Sequence, residues 1–252
     1  MTRLERLHQL ALEPATYFDL RLTASAYNFS WFFDGRRLLV PLSSRPPTVA
    51  VVEEDGARLK ATCYGGPLSR DEAELALDFK LGLSEDLSEF YYIAFEDPLL
   101  AAVPRRLAGM KLRASPPWFS FIAALCQQNA SFRQGWGMVH RVLSLLGRWV
   151  EVESRTVPLP PSPREVVEAG LEALRRAGLG FRAPALLRAA EALMEEGFEE
   201  PGVEELSALR GVKGVGEYTL RVARLFAARA YEEPPVDGWL LKVVSEAYRR
   251  PL

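Results

Sequence analysis

Three glycines within one short run, Gly211, Gly214 and Gly216, constrain this chain more than any other feature. They sit in Leu209-Arg210-Gly211-Val212-Lys213-Gly214-Val215-Gly216-Glu217-Tyr218-Thr219. Without a Cβ, glycine enters backbone regions closed to other residues, and neighbouring N–H groups can converge on an anion. The spacing predicts a tight hairpin between two helices, the second over residues 217–230. Its N-terminus would add partial positive charge at the same place. Downstream, Pro234-Pro235-Val236-Asp237-Gly238-Trp239 reads as an extended approach to a further helix, with Asp237 at its N-cap. Taken alone, the glycines fit an ordinary helix corner equally well, and an aspartate ahead of a helix is most often only a cap. Together they describe a phosphate clamp beside a carboxylate that stays ionised. Such a pairing suggests chemistry on a nucleic acid.

On these residues the chain resembles the DNA glycosylase superfamily named for its helix-hairpin-helix and Gly-Pro-Asp signature. The resemblance implies that Gly211, Gly214, Val215 and Gly216 bind DNA phosphate, and that Asp237 is the catalytic carboxylate. It further implies that the main-chain carbonyls of Arg210, Val212 and Val215 turn toward a monovalent cation, with no cofactor required beyond that ion. Lys213 departs from the pattern, since the family usually has proline there. Tyr218 stands where bifunctional members carry a Schiff-base lysine, and neither Lys213 nor Lys242 matches that place. Tyrosine cannot form an imine, so hydrolytic base removal leaving an abasic site is expected. An aromatic residue here resembles members that excise alkylated purines, which places Tyr218 and Trp239 in the base pocket. Ordinary packing is an equal reading for Tyr218 and the preferred alternative for Trp239.

Two further segments carry the resemblance. Phe121-Ile-Ala-Ala-Leu-Cys-Gln-Gln-Asn129 is similar to the helix end and turn that fill the gap left by an extruded nucleotide, with the wedge at Gln128 and Asn129 beside it. Gly178-Leu-Gly-Phe181-Arg182 is similar to a second turn, in which Phe181 would buckle the duplex and Arg182 reach the estranged base. Arg133 is a weaker companion, for which a surface arginine is the preferred reading. The implied activity is a monofunctional glycosylase of base excision repair that flips a damaged purine out of duplex DNA, alkylated purines of the 3-methyladenine class leading. Oxidised purines such as 8-oxoguanine are the alternative substrate, and a noncatalytic lesion-binding protein is the alternative of another class. The chain also ends soon after Asp237, where relatives continue with helices that pack on the base pocket, so completeness of that pocket is in question.

Composition agrees with this reading without carrying it. The formal charge of the 252 residues is −2, but it is unevenly spread. Residues 1–104 hold 10 Lys and Arg against 16 Asp and Glu, whereas residues 105–252 hold 21 against 17. The half with the hairpin is the basic one, as DNA binding requires. Cys63 and Cys126, with His8 and His140, offer no metal-ligand spacing. The first residues lack a signal peptide's apolar core and no stretch is apolar enough to span a membrane, so a cytoplasmic monomer is expected.

The expected fold is α+β: an N-terminal antiparallel sheet domain over 1–104 followed by an all-α helix-hairpin-helix domain over 105–252. Residues 17–23, 29–33, 37–42, 48–52 and 58–64 read as strands, being β-branched, aromatic and often alternating. Asp34-Gly35 and Asp55-Gly56 are hairpin turns, and a helix follows at 69–81. Beyond residue 105, apolar residues three and four apart predict helices at 116–125, 133–146, 163–177 and 183–196. Residues 158–163 form a proline-rich connection, and Ser162-Pro163 starts a helix.

Overall fold

The computed structural model describes residues 1–249. It is an α+β structure. Strands β2 (Arg6–Leu12), β3 (Leu38–Ser44), β4 (Pro47–Asp55) and β5 (Arg58–Gly65) form an antiparallel sheet in the order β2-β5-β4-β3. Asp55 faces Arg58 across the predicted Asp-Gly turn. The alternation of side chains decides what each face buries. Leu38, Val40, Ala50, Val52, Leu59 and Ala61 point to one side, where α1 (Leu20–Ser25) and α2 (Arg70–Leu81) close a small core. Leu39, Val49, Val51 and Tyr64 point to the other and join the main core built by the helices. The sheet is therefore a shared wall, buried on both faces along its central strands.

Helices α3 (Ser88–Glu96) and α4 (Val103–Arg106) lead into the helical body. That body consists of α5 (Pro117–Gln127), α6 (Phe132–Leu146), α7 (Pro163–Arg176), α8 (Ala183–Glu195), α9 (Glu217–Ala228) and α10 (Gly238–Tyr248). Phe121, Ile122, Leu125, Val139, Leu143, Leu186 and Leu193 are wholly buried within it. The predicted helices after residue 105 all form, to within two residues at each end. Ser69, Ser131 and Ser162 each close a capping box onto the third helical residue, which fixes the starts of α2, α6 and α7.

Three expectations fail. Residues 17–23 are not a strand: the Asp19 carboxylate accepts the Leu22 amide at 2.7 Å and caps α1, so local capping overrides the apparent alternation. Residues 29–33 make turns instead, with Phe29 stacked on Trp136 at 4.4 Å and a lone bridge from Phe33 to Leu38. The Asp34 carboxylate receives the Arg36 and Arg37 amides and holds that turn. Finally, residues 105–252 are not all helical. Strands β6 (Arg148–Val152) and β7 (Arg155–Leu159) form a hairpin there, and the start of the supposed proline connection belongs to β7. The short β1 (Thr2–Arg3) lies parallel to β6, Thr2 opposite Val150, so the N-terminus is stitched into the helical body. No helix among the described residues is long and apolar enough to cross a membrane.

Candidate active site

The hairpin forms where expected, although the element before it is a six-residue 3-10 helix, Glu204–Leu209, rather than an α-helix. Gly211 and Gly214 take φ of +93° and +97°, which side chains disfavour. Gly216 has ordinary extended angles and serves as the N-cap of α9. Two hydrogen bonds close the loop, Val212 N to Leu209 O at 3.2 Å and Val215 N to Val212 O at 2.9 Å. The Val215 amide is thus engaged inside the turn, which corrects its assignment to phosphate. The amides of Gly214 and Gly216 donate to no group among the described residues and face a solvent-exposed loop. An anion could accept from both, at the start of a helix.

Gly214 also brings the loop against α8. A Cβ built there would lie 2.7 Å from the Cβ of Ala185, while Arg188 donates to the Lys213 carbonyl at 2.7 Å. Gly214→Ala must therefore shift the hairpin and strain its backbone together. We expect it to cost about 1–3 kcal/mol of stability and to weaken duplex binding at least about tenfold, read by fluorescence anisotropy.

Of the carbonyls expected at a cation, that of Val212 already accepts the Val215 amide, and those of Arg210 and Val215 belong to the same loop. A carbonyl oxygen keeps a second lone pair, so the donor set still suits a weakly held monovalent ion. No cluster of three His, Cys, Asp or Glu that could hold a metal ion occurs among the described residues.

Asp237 caps α10, its Oδ1 accepting the Leu240 amide at 2.7 Å. The cap leaves Oδ2 facing the start of α9, where the Tyr218 hydroxyl donates to it over 3.5 Å. Burial, and then the neighbouring Asp237 charge, push the Tyr218 phenol above its ordinary pKa. Tyr218 therefore stays protonated at neutral pH and acts as a donor to the carboxylate, not as a base. Asp237 itself is exposed.

Below Tyr218, the helical period places Val222 and then Phe226 on the same face of α9. Both line an open apolar cavity of about 110 Å³, whose walls include Tyr27, Phe119, Gln127 and Trp136. Tyr27, with φ of +48°, meets Phe132 and Phe226 edge to face, each at 5.4 Å. Its loop is held by Arg113, which donates to the carbonyls of Thr23, Ala26 and Tyr27 at 3.0, 2.7 and 3.2 Å. Burial pushes the Arg113 guanidinium down to about 10, so it remains a cation. Lys111, the other charged group in the lining, is tied to Thr16 and to the Glu85 carbonyl. The lining holds no carboxylate. Phe226 could have been found by extending the helical row from Tyr218; Tyr27 and Arg113 carried no local signal. Trp239 is 72% exposed and lies outside this cavity.

The wedge segment is redistributed too. Gln128 is half-buried at the C-cap of α5, with its amide turned to the Gly214 carbonyl at 3.4 Å. Asn129 is the exposed residue at the tip, in a left-handed conformation with φ of +48°. Phe181 is 64% exposed, as a side chain that contacts DNA must be. Arg182 is buried, and this corrects its reading as a free hand for the estranged base. Its Nε donates to the Gln128 carbonyl at 2.9 Å, its Nη2 reaches the same oxygen, and its guanidinium covers the Phe181 ring at 4.2 Å. Arg182 thus ties the two tip segments together. Arg133 is exposed in the first turn of α6. Both cysteines are buried and free, and burial pushes the Cys126 thiol up to about 12, which makes it inert.

No family model matches the chain. A curated relative, the probable N-glycosylase/DNA lyase of Methanothermobacter thermautotrophicus, is 25% identical over 206 residues, covering 71% of this chain and 64% of that protein's length. Among solved structures, the Clostridium acetobutylicum 8-oxoguanine glycosylase/lyase bound to duplex DNA with cytosine opposite 8-oxoguanine superposes with a TM-score of 0.74. It is 17% identical, covering 97% of this chain and 85% of that one. The 3-methyladenine DNA-glycosylase of Archaeoglobus fulgidus gives 0.73 at 22% identity, covering 96% and 86%. The fold is the one these DNA glycosylase structures share.

Proposed function

We propose that this protein is a monofunctional DNA glycosylase that removes a damaged purine from duplex DNA by hydrolysis. The observation that carries the proposal is the pairing of Tyr218 with Asp237, on a helix whose next turns, at Val222 and Phe226, line an apolar cavity. The hairpin amides hold the phosphate, Asn129 and Phe181 enter the duplex, and the flipped base enters the cavity along α9. Flipping costs a few kcal/mol, least for a damaged base. Asp237 then stabilises the sugar cation and orients water, its Oδ1 held by the cap and its Oδ2 by Tyr218. With tyrosine at position 218 there is no amine at that place to form an imine, so the sugar is released by water. A monovalent cation on the Arg210, Val212 and Val215 carbonyls would add charge near the phosphate.

The cavity also bears on the substrate. Its only charged lining groups, Lys111 and Arg113, are cations. A cationic alkylated purine would meet like charge there, offset for Lys111 by Glu85 and Asp86 but with no carboxylate in the lining itself. Neutral lesions with carbonyl acceptors, such as 8-oxoguanine, fit better. The electron-rich rings of Tyr27 and Trp136 favour the alkylated class as the second reading.

Base release from duplexes carrying 8-oxoguanine, hypoxanthine or a 3-methyladenine analogue tests both points. Abasic sites should appear from the neutral lesions, and strand breaks only after heat or alkali. Strand cleavage without that treatment would overturn the hydrolytic mechanism. Preference for the alkylated base would overturn the charge argument.

A further inference from the structure

We propose a second ligand site in the cleft around Lys80, distinct from Asp237, for a small flat molecule that carries one carboxylate on an aromatic body. Lys80 is in the last turn of α2 and lines two adjoining open cavities of about 60 and 230 Å³, the smaller of which shares Tyr27, Arg113, Phe119 and Trp136 with the cavity along α9. Pro116, Phe119 and Pro160 line both as well, so the two form one cleft with rigid apolar walls. Lys80 is half-buried, yet its amine has no hydrogen bond or ion pair among the described residues.

The nearby acids are already committed. Glu199 lines the outer cavity but is held by Arg45 at 3.4 Å and by Arg164 Nε at 2.8 Å. Glu200 faces Arg45 as well, and Glu165 pairs with Arg45 and Arg148 at 3.3 and 3.0 Å. The arginines take the carboxylates and the lysine is left without one. Burying an unpaired charge is costly unless a partner arrives, and burial pushes the Lys80 amine down to about 8. A single ammonium matches a monoanion; a phosphate would bring charge with nothing to meet it. Proline and aromatic walls suit a planar apolar body, and the Ser43 and Ser44 hydroxyls in the outer cavity can donate to the second carboxylate oxygen.

The test uses 2-naphthoate. It should raise the melting temperature of the intact chain, and Lys80→Met should lower its affinity at least about tenfold while leaving base release unchanged. The chain has only five lysines (60, 80, 111, 213 and 242), so limited acetylation read by mass spectrometry locates the ligand directly. Naphthoate should protect Lys80 and no other. An equal melting shift in Lys80→Met, protection elsewhere, or an equal effect from the uncharged methyl ester would each overturn the site. Should Lys80→Met not fold, protection of Lys80 in the wild type still decides. Neither readout depends on glycosylase activity.

Discussion

Asp237→Asn should abolish base release, by at least about 100-fold, while leaving fold and duplex binding in place. Asparagine caps a helix as well as aspartate, so the bond to the Leu240 amide survives and stability should change by under about 1 kcal/mol. What disappears is the charge on Oδ2, the atom that faces the Tyr218 hydroxyl. General-base and electrostatic help from one carboxylate is worth roughly 10²–10⁴ in rate. Single-turnover base release and anisotropy on the same duplex separate the two effects. Binding lost along with activity would assign Asp237 to structure alone. Activity retained would remove Asp237 from the chemistry, whereas no base release by the wild type, with lesion binding intact, would move the chain to lesion binding without catalysis.

The largest stability effect should come from Arg182→Ala. Arg182 is 7% exposed and satisfies the Gln128 carbonyl with two of its nitrogens, so the substitution orphans a half-buried acceptor and empties the space of a long side chain. Losing charged hydrogen bonds and stem packing together costs about 2–4 kcal/mol. For a chain of this size that lowers the melting temperature by about 5–15 °C in calorimetry. Because the Gln128 carbonyl is next to Asn129, base release should fall in addition, with phosphate binding by the hairpin retained. Arg182→Lys keeps one donor and should lie between. A variant that melts like the wild type but fails to distinguish the base opposite the lesion would restore the estranged-base role.

The geometry of the hairpin and the cap was legible because it rests on local rules. Glycines at 211 and 214 announce positive φ, an aspartate before a helix announces a cap, and the absence of lysine at 218 is visible without a fold. What stayed hidden depends on partners remote in sequence. Tyr27 lines the cavity because Arg113 holds its loop by three carbonyls, and nothing around either residue advertises the other. Arg182 looked like a surface arginine because an exposed and a buried guanidinium have the same sequence context. The alternation at residues 17–23 imitated a strand until Asp19 capped a helix, and β6–β7 was lost among prolines within a helical stretch. Sequence periodicity reports which face is apolar, and the identity of what covers it comes only from tertiary packing.

The pairing of Thr2 with Val150, reinforced by the Leu4 amide on the Glu151 carbonyl at 2.8 Å, has a consequence for biosynthesis. Synthesis proceeds from the N-terminus, yet the first residues have their partner strand in the second half of the chain. The four-stranded sheet can pair as soon as β5 leaves the ribosome, but its helix-facing side stays uncovered until the main core arrives. The opening residues then dock last, as a latch on a body already formed. Such late non-local closure is slow compared with helix formation. Substitutions that break the pairing of Thr2 and Arg3 with Val150 and Glu151 should therefore act on this late closure rather than on the four-stranded sheet.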